Sequence, residues 1–426
     1  KDGRVFPVTD KSSTIADTLA AAARHLGVEV RCLSRVREVH VIQDDELSSN
    51  SAITPSTASS DSGAQAHTSE EERRVFLVHY SQPLQVRDLS SRDTGVRKGG
   101  LDAQKERNDI QIKKSSAEHT LKCDRIIFAT GSNRGGYDIL SQLGHTLIDP
   151  VPSLFSLKIE DKNLTELAGV SCPLCEVRLV VPKSLSSGPL RSLFRPAVMV
   201  SLRQRGPLLI THQGVSGPVI LRLSAFGARV LAAMNYKCDM AVSWLPELCR
   251  EEVVDILWRE RGQHPNRLVS SYFPVSLSLS MKEERESEKE KEKEEMHETE
   301  EESREGREGR SGLTKRLWNY LLHRAGIPSS FKWEQVRKTD VMRLSLELTN
   351  SVFHVSGRGV YRDEFVTCGG VKLTEVSFSS MESKRVPGLF LAGEVLDVDG
   401  VTGGFNFQSA WTAGWIAGHG CGQSLL

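Results

Sequence analysis

A glycine-rich, acidic segment near the carboxyl end carries the residues best suited to bind a ligand. Residues 393–408 read GEVLDVDGVTGGFNFQ and follow the apolar run 388–392, which predicts a short buried strand. The paired Gly403 and Gly404 allow main-chain N–H groups to approach a ligand, and the helix predicted behind them offers unpaired donors. The segment suits a ligand with polar and anionic parts, such as a dinucleotide. A strand-to-helix turn that binds nothing is the alternative.

His212 is the candidate for acid–base chemistry. It lies in the run THQGVSGP, residues 211–218, in which Ser216 is predicted to cap a helix and Pro218 suits its first turn. An imidazole can donate or accept a proton near neutral pH, so His212 is assigned as a catalytic candidate. A turn that only caps the helix is the alternative.

Composition excludes some classes of partner. The 426 residues suffice for two or three domains, and 55 basic residues balance 55 acidic ones, so charge gives nucleic acid or an anionic membrane no support as a partner. No apolar run is long enough to span a bilayer. The chain starts without Met or a secretory signal, so we expect a fragment or a processed chain.

The eight cysteines are scattered along the chain. Cys172 and Cys175 form a CxxC pair, but no second pair follows at a spacing that would complete a zinc site, and no metal is predicted. A redox dithiol is the alternative, although the residues behind the pair suggest a strand rather than the helix such a site needs. We expect ordinary thiols in a reducing compartment, cytoplasmic or organellar, and not a secreted protein.

The elements that position these residues are predicted from periodicity. An apolar stripe predicts a helix near residues 14–26, and alternation predicts strands at 28–33, 36–41, 75–80 and 341–348. Residues 153–210 are strand-like and residues 219–258 helical. Two polar segments, 44–72 and 89–118, are predicted to be disordered loops. The run 281–312 holds 14 Glu against 8 Lys+Arg, which suits a solvated helix or disorder.

The carboxyl-terminal part closely resembles the flavin motif of a known family. Residues 366–371, 374–376, 381–389 and 393–414 resemble the BaiN-like (YhiN-like, aminoacetone-oxidase-like) NAD(P)/FAD-dependent oxidoreductases. Further similarity lies in GRVFP at residues 3–7, in the strand 123–131 that ends in Ala-Thr-Gly, and in residues 211–218. The chain departs from the family after Gly131, where its glycine-rich stretch is shorter. The family's opening strand and G-x-G-x-x-G loop do not occur in this sequence.

The resemblance implies a fold class and a domain division. The fold would be an α/β, two-dinucleotide-domain-type FAD-binding fold, truncated at its N-terminus, with inserted β-barrel and helical domains. Residues 1–150 and 340–426 would form the FAD-binding domain, residues 151–212 the barrel, and residues 213–339 the helical insertion.

The resemblance also implies the cofactors and the residues that bind them. FAD would be the cofactor and NAD(P)H the electron donor. Val36 would lie beside the adenine, Glu394 beside the ribityl chain or pyrophosphate, and Asn406 beside the flavin ring. The full set of cofactor-binding residues is Val36, Ala129, Thr130, Gly131, Thr367, Gly369, Gly370, Gly393, Glu394, Asp397, Gly403, Gly404 and Asn406.

Hydride transfer is the implied chemistry. Electrons would pass from NAD(P)H through FAD to an unsaturated or amine-type small-molecule substrate, since family members are associated with reduction of steroid-like acids, oxidation of aminoacetone and reduction of uridine in ribosomal RNA. The alternative is a non-enzymatic remnant, or a fragment that cannot hold FAD alone, because the phosphate-binding G-x-G-x-x-G loop is not in the sequence.

Overall fold

The computed structural model describes residues 7–43, 74–83, 116–182, 200, 202–271, 313–359 and 366–423. The chain divides into two compact units. Unit 1 consists of Lys1–Ile148, Gly370–Asp397 and Phe407–Leu426, and unit 2 of Asp149–Gly369 and Val398–Asn406. The predicted loop 44–72, most of the predicted loop 89–118 and the charged run 281–312 lie outside the described residues.

The strands are short, and fifteen fall within the described residues. In chain order they are β1 (Arg35–Gln43), β2 (Arg74–Pro83), β3 (Ser116–Cys123), β4 (Ile126–Phe128), β5 (Leu147–Ser153), β6 (Leu157–Ile159), β7 (Ser171–Val180), β8 (Arg203–Thr211), β9 (Gly214–Ser216), β10 (Cys238–Ser243), β11 (Ser351–Arg358), β12 (Val366–Val371), β13 (Val376–Ser377), β14 (Glu382–Ser383) and β15 (Leu389–Leu391).

The α-helices of the described residues are α1 (Ser12–His25), α2 (Arg134–Gln142), α3 (Lys162–Thr165), α4 (Pro218–Phe226), α5 (Ala228–Ala233), α6 (Arg250–Gln263), α7 (Lys315–Arg324), α8 (Lys338–Asn350) and α9 (Phe405–Gln423). Short 3-10 helices cover Trp333–Gln335, Leu373–Glu375 and Gly393–Val395. None of these helices is long and apolar enough to cross a membrane.

Unit 1 contains two sheets. Strands β1, β2 and β3 form an antiparallel sheet in that order, and the second sheet has the order β13-β14-β15-β4. All three residues of β15 are buried, as the apolar run predicts for a covered strand. β15 pairs with β4 in parallel, with Leu389 opposite Ile126 and Leu391 opposite Phe128. The carboxyl ends of β4 and β15 therefore meet at the same edge.

Unit 2 is built around a closed six-stranded barrel of order β10-β11-β6-β9-β8-β7. Along β8 the side chains alternate, so that Leu208 and Ile210 are buried inside while Arg203 and Arg205 are exposed. The helices share one apolar core with the barrel, in which Trp244, Trp318 and Trp333 are fully buried. Strands β10 and β11 of the barrel lie after residue 212, the predicted end of the barrel domain. The barrel and the helices belong to the same compact unit.

Three secondary-structure predictions are wrong. Residues 28–33 are not a strand, because Leu33 has a φ of 57° and turns the chain before β1. The predicted helical stretch 219–258 contains β10. Residues 341–348 lie in α8, where Val341, Leu344 and Leu348 are buried at helical spacing. In addition, residues 116–118 of the second predicted loop belong to β3.

Two helices of unit 1 expose apolar faces within the described part of the chain. The predicted stripe of α1 exists, but none of its residues is buried, and Leu19 is 58% exposed. On α9, Phe407, Trp411 and Trp415 recur every four residues and are more than half exposed. A helix forms there through its small residues, and only Ala413 and Ala417 are buried.

A buried carboxylate, Glu375, joins separate segments of unit 1. One oxygen accepts from the Thr146 N–H at 2.9 Å and the other from Arg385 Nη2 at 2.7 Å. Burial alone would raise the pKa of Glu375, but the hydrogen bonds from Arg385 and Thr146 outweigh it and lower the pKa from 4.5 to about 2. Glu375 is therefore ionised in the folded protein at neutral pH.

We expect Glu375→Gln to lower the free energy of unfolding by about 2–3 kcal/mol near pH 7, the scale of that pKa difference. Because the folded pKa is depressed, this stabilisation is present above about pH 4.5 and is lost as the pH falls toward 2. Urea unfolding near pH 7 and near pH 2.5 measures it. The control Glu118→Gln changes an exposed carboxylate on β3. Equal losses in both variants would contradict the assignment.

Candidate functional site

The parallel pair β4 and β15 places two predicted segments side by side. Ala129, Thr130 and Gly131 follow β4, and Gly393 and Glu394 follow β15. The strands stay paired to their ends, since the Ala392 N–H donates to the Phe128 carbonyl at 2.9 Å. Ligands of open α/β sheets bind outside the carboxyl ends of parallel strands. Unit 1 thus brings together five of the predicted cofactor-binding residues.

The turn after β4 leads directly into α2. Gly131 has a φ of 59° and open space where a side chain would stand. Asn133 caps the helix by accepting from the Gly135 N–H at 2.8 Å. Gly136 is buried against Thr130, and a Cβ there would overlap the Thr130 side chain. The first turn of α2 consequently presents main-chain donors beside the end of β4.

Tyr137 joins this turn to the one after β15. Its hydroxyl donates to the Glu394 carbonyl at 3.2 Å. Burial, followed by the nearby carboxylates of Glu394 and Asp397, raises the pKa of Tyr137, so the hydroxyl keeps its proton. Gly393 has a φ of 77°, a conformation that glycine adopts without strain. The Glu394 side chain is half-buried in this fixed turn.

The end of β12 packs against the same turn. A Cβ on Gly370, which has a φ of 138°, would lie 2.6 Å from the Val395 carbonyl oxygen. The Asp397 N–H donates to the Val371 carbonyl at 3.0 Å. The close approach of the Val395 main chain therefore explains why residue 370 is a glycine. The resemblance had assigned Gly370 to cofactor binding. The geometry places Asp397 at the end of the turn that begins at Gly393.

In unit 2, the loop 400–406 is held by its own side chains. Asn406 Oδ1 accepts from the Gly400 N–H at 2.7 Å, and Asn406 Nδ2 donates to the Gly400 carbonyl at 3.1 Å. Gly403 and Gly404 both have positive φ, and open space surrounds Gly404. The predicted glycine turn before α9 exists, but the Asn406 amide is used to close it.

The remaining unit 2 candidates lie in β12 and in a barrel turn. Thr367 and Gly369 belong to β12, and Gly369 is buried. His212 is exposed in the turn between β8 and β9. Within the described residues, no hydrogen bond or ion pair of the His212 side chain links it to another candidate. Its catalytic role stays a prediction.

The motif around His212 is largely explained by barrel closure. A Cβ on Gly214 would overlap the main chain of Leu157 and Ile159, so only glycine fits. Pro218 opens α4 as predicted, but the helix cap is Gly217. Ser216, predicted as the cap, instead accepts a hydrogen bond from Ser156 at 2.7 Å.

Val36 lies in β1, on the antiparallel sheet of unit 1. It stands opposite Tyr80 of β2, beside a bulge, and is 42% exposed. β1 also contacts α2, the helix that follows Gly131. Val36 is thus not a buried core valine, and an adenine contact stays a prediction.

No metal centre emerges from the described residues, where no three His, Cys, Asp or Glu side chains are grouped to hold an ion. Cys172 and Cys175 are both buried at a bulge of β7, and burial raises the pKa of Cys175. A buried thiol with a raised pKa is a poor nucleophile.

Sequence reasoning missed four residues that hold turns or loops in place, two in each unit. Asn133 and Tyr137 fix the two turns of unit 1, and the Ser153 hydroxyl donates to Asp399 at 2.9 Å in unit 2. Asparagine is among the residues preferred at a helix N-cap, and this preference is the signal that could have identified Asn133. No sequence signal pairs Tyr137 with Glu394, because the contact spans 257 positions.

Gly370→Ala is expected to destabilise the protein by about 2–5 kcal/mol, since a Cβ there combines unfavourable φ with overlap of the main chain. Gly418→Ala is the matched control, because it lies within α9 with nothing near a new Cβ. The control should be neutral or stabilising by up to about 1 kcal/mol. Thermal unfolding compares the two, and an unchanged Gly370→Ala protein would refute the close approach.

Comparison with known proteins supports a common origin for most of the chain. The HI0933-like protein Rossmann domain matches residues 60–420. The chain is 27% identical over 318 residues to a ribosomal RNA dihydrouridine synthase of Escherichia coli, covering 72% of this chain and 62% of that protein. It is 29% identical over 304 residues to the Haemophilus influenzae protein of that name, covering 69% and 59% respectively.

A third relative has a different activity in its name. The 3-dehydro-bile acid delta(4,6)-reductase of Clostridium scindens is 23% identical over 312 residues, covering 70% of this chain and 62% of that protein. The chain thus spans about three fifths of the length of these relatives. Because the matched region covers the β4 and β15 turns and most of both units, the chain belongs to the HI0933-like Rossmann-domain family, a family of FAD-binding oxidoreductases.

Proposed function

We propose that this protein is an FAD-dependent oxidoreductase that reduces a carbon–carbon double bond conjugated to a carbonyl group, with NAD(P)H as the electron donor. The observation that carries the proposal is the pair of turns after β4 and β15, joined by Tyr137 and Glu394 at 3.2 Å. The names of the relatives support the substrate class, since one describes production of dihydrouridine and another a reductase. An amine-type substrate is the second candidate; FAD would then take the hydride from the amine, and O2 would reoxidise the reduced flavin.

The residues of unit 1 fit a dinucleotide of the FAD type. The glycines at 131 and 393 have positive φ and present no side chain, and nothing fills the space beside Gly131. The first turn of α2 supplies donors and a partial positive charge suited to a pyrophosphate or an acceptor oxygen. The Glu394 carboxylate supplies an acceptor suited to sugar hydroxyls. FAD, when bound, supplies the hydride-transfer chemistry.

The residues of this chain would bind the cofactor and orient it. Tyr137 fixes the Glu394 main chain, and the β4–β15 pairing fixes the distance between the two turns. Such fixed hydrogen-bonding groups lose little entropy when a ligand binds. Predicted contacts from Thr367, Gly403, Gly404 and Asn406, and a proton-transfer role for His212, remain part of the proposal and are supported by the family resemblance. We also propose that the protein works in a reducing compartment.

The visible absorbance of the purified protein tests flavin binding. We expect a flavin spectrum, or its appearance when FAD is added. Glu394→Gln should weaken FAD binding by about 10- to 100-fold, because a charge-assisted hydrogen bond contributes roughly 1.5–3 kcal/mol. The control Asp138→Asn removes an exposed carboxylate of α2 and should bind FAD as the wild type does.

A folded protein that takes up no FAD would overturn the proposal in favour of a non-enzymatic role. An FAD content unaffected by Glu394→Gln would remove only that residue from the site. The substrate class is tested anaerobically in both redox directions: enzyme reduced with NADPH or NADH is mixed with cyclohexenone, and oxidised enzyme is mixed with an amine. Reoxidation of the reduced flavin by the enone, with no reduction of the oxidised flavin by the amine, is the expected result.

A further inference from the structure

Unit 1 contains a buried histidine that the proposed function does not use. His145 lies between α2 and β5 and is only 4% exposed. Its ring atom Nε2 lies 2.8 Å from the Ser383 hydroxyl oxygen, although 238 positions separate the two residues. Its Nδ1 atom is buried and makes no hydrogen bond within the part of the chain that the structure describes. An imidazole titrates near neutral pH, so this contact can depend on pH.

The Ser383 hydroxyl determines which ring nitrogen of His145 carries the proton. The hydroxyl oxygen accepts from the main-chain N–H groups of Arg385 and Val386, both at 3.0 Å. Because a hydroxyl has two lone pairs and one hydrogen, the hydrogen that remains is donated to His145 Nε2. Neutral His145 therefore carries its proton on Nδ1, and Nε2 is an acceptor.

Protonation of His145 is incompatible with this arrangement. An imidazolium carries hydrogens on both ring nitrogens, so Nε2 can no longer accept from Ser383. The Ser383 oxygen in turn has no free lone pair for a new donor, because Arg385 and Val386 use both. Either the contact between His145 and Ser383 or the hydrogen bonds that hold the main chain after Ser383 must break.

The surroundings of His145 favour its neutral form. Burial lowers the pKa of His145 below the ordinary 6.5; the Leu140 carbonyl and the Glu375 carboxylate oppose this shift, and the Arg385 guanidinium adds to it. Glu375 is already bound to Arg385 at 2.7 Å, so its charge is not free to pair with an imidazolium. The folded protein thus holds a neutral ring where the unfolded chain would bind a proton.

The other polar groups of the neighbouring segments do not bind the buried imidazole. The Glu382 carboxylate accepts from a main-chain N–H at 2.8 Å, and Lys384 Nζ donates to a main-chain carbonyl at 3.2 Å. The Tyr137 hydroxyl donates to a main-chain carbonyl at 3.2 Å. The remaining charged residues of α2 and of the segment 372–388 are exposed: Arg134, Asp138 and Lys372.

The turn that follows Ser383 leads directly into β15. The Leu389 N–H donates to the Val386 carbonyl at 3.2 Å, and the Ile126 N–H of β4 donates to the Gly388 carbonyl at 3.1 Å. The turn 383–388 therefore sets where the pairing of β4 with β15 begins. A change at Ser383 reaches the strands whose ends carry the candidate site.

We propose that His145 and Ser383 form a pH-sensitive switch, in which mild acidification protonates His145, opens the turn 383–388 and weakens cofactor binding after β15. The effect on the cofactor rests on the proposed function, whereas the opening of the turn does not.

The sign and the pH window of this switch follow from the depressed pKa. The unfolded or opened chain binds the proton more readily than the folded one, so stability is lost as the pH falls below about 6.5. Glu375 loses its own contribution only below about pH 4.5. The two effects therefore occupy separate pH ranges.

Amide hydrogen exchange of the full chain, followed by mass spectrometry, tests the switch. After correction for the intrinsic exchange rate, we expect the protection of residues 383–391 to fall between pH 7 and pH 5. The fall approaches tenfold per pH unit below about pH 6.5, the limit for uptake of one proton. Residues 171–180 of β7, in unit 2, serve as the internal control and should keep their protection.

Two variants assign the effect to His145. In His145→Gln the amide oxygen can accept from Ser383 but does not titrate, so protection of residues 383–391 should stay constant from pH 7 to pH 5. The control His25→Gln removes an exposed imidazole from α1 and should follow the wild-type profile.

A wild-type profile that stays flat from pH 7 to pH 5 would overturn the proposal, and this measurement does not depend on the folding of a variant. Equal pH dependence in the wild type and His145→Gln would also overturn it. FAD retained after ultrafiltration at pH 7 and pH 5.5 is measured in the same preparations, and the expected loss at pH 5.5 occurs in the wild type but not in His145→Gln. A protein without FAD at pH 7 counts against the proposed function, whereas the exchange measurement needs no FAD.

Discussion

The parallel pairing of β4 with β15 is the interaction on which the candidate site of unit 1 depends. These strands have three residues each, so few main-chain hydrogen bonds set the distance between the turns that follow them. Burial of the whole of β15 makes the pairing robust, because an unpaired main-chain group there could not reach water. The Ala392 N–H extends the pairing to the residue before Gly393.

Hydrogen bonds from side chains then give the turns a single conformation. Asn133 fixes the entry to α2, and Tyr137 fixes the main chain of Glu394. Glu375 performs a similar task by accepting hydrogen bonds from the Thr146 N–H, just before β5, and from the half-exposed Arg385 side chain, after β14. Unit 1 thus orders its short strands and turns through exposed and partly buried side-chain hydrogen bonds, most of them to main-chain groups.

Sequence patterns predicted the parts of the fold that depend on local preference. The buried β15, the glycine turn before α9 and the strand-rich barrel follow from apolar runs, glycine and alternation. Residues 341–348 were assigned to a strand because Leu344, Leu346 and Leu348 alternate with polar residues, but the helix buries Val341, Leu344 and Leu348 and leaves Leu346 exposed. Barrel closure by β10 and β11 joins residues more than a hundred positions apart, and no local pattern encodes it.

The glycines show how far a motif can be interpreted without coordinates. Gly214 and Gly370 face main-chain atoms that a Cβ would overlap, so packing alone requires them. Gly131 and Gly404 have positive φ, and no atom lies where a Cβ would stand. Packing against neighbouring atoms therefore does not explain why these two residues are glycines. Glycine spacing is the same kind of signal in both cases. Only the structure separates the glycines that close the fold from those that leave room for a ligand, and the latter lie after β4 and before α9.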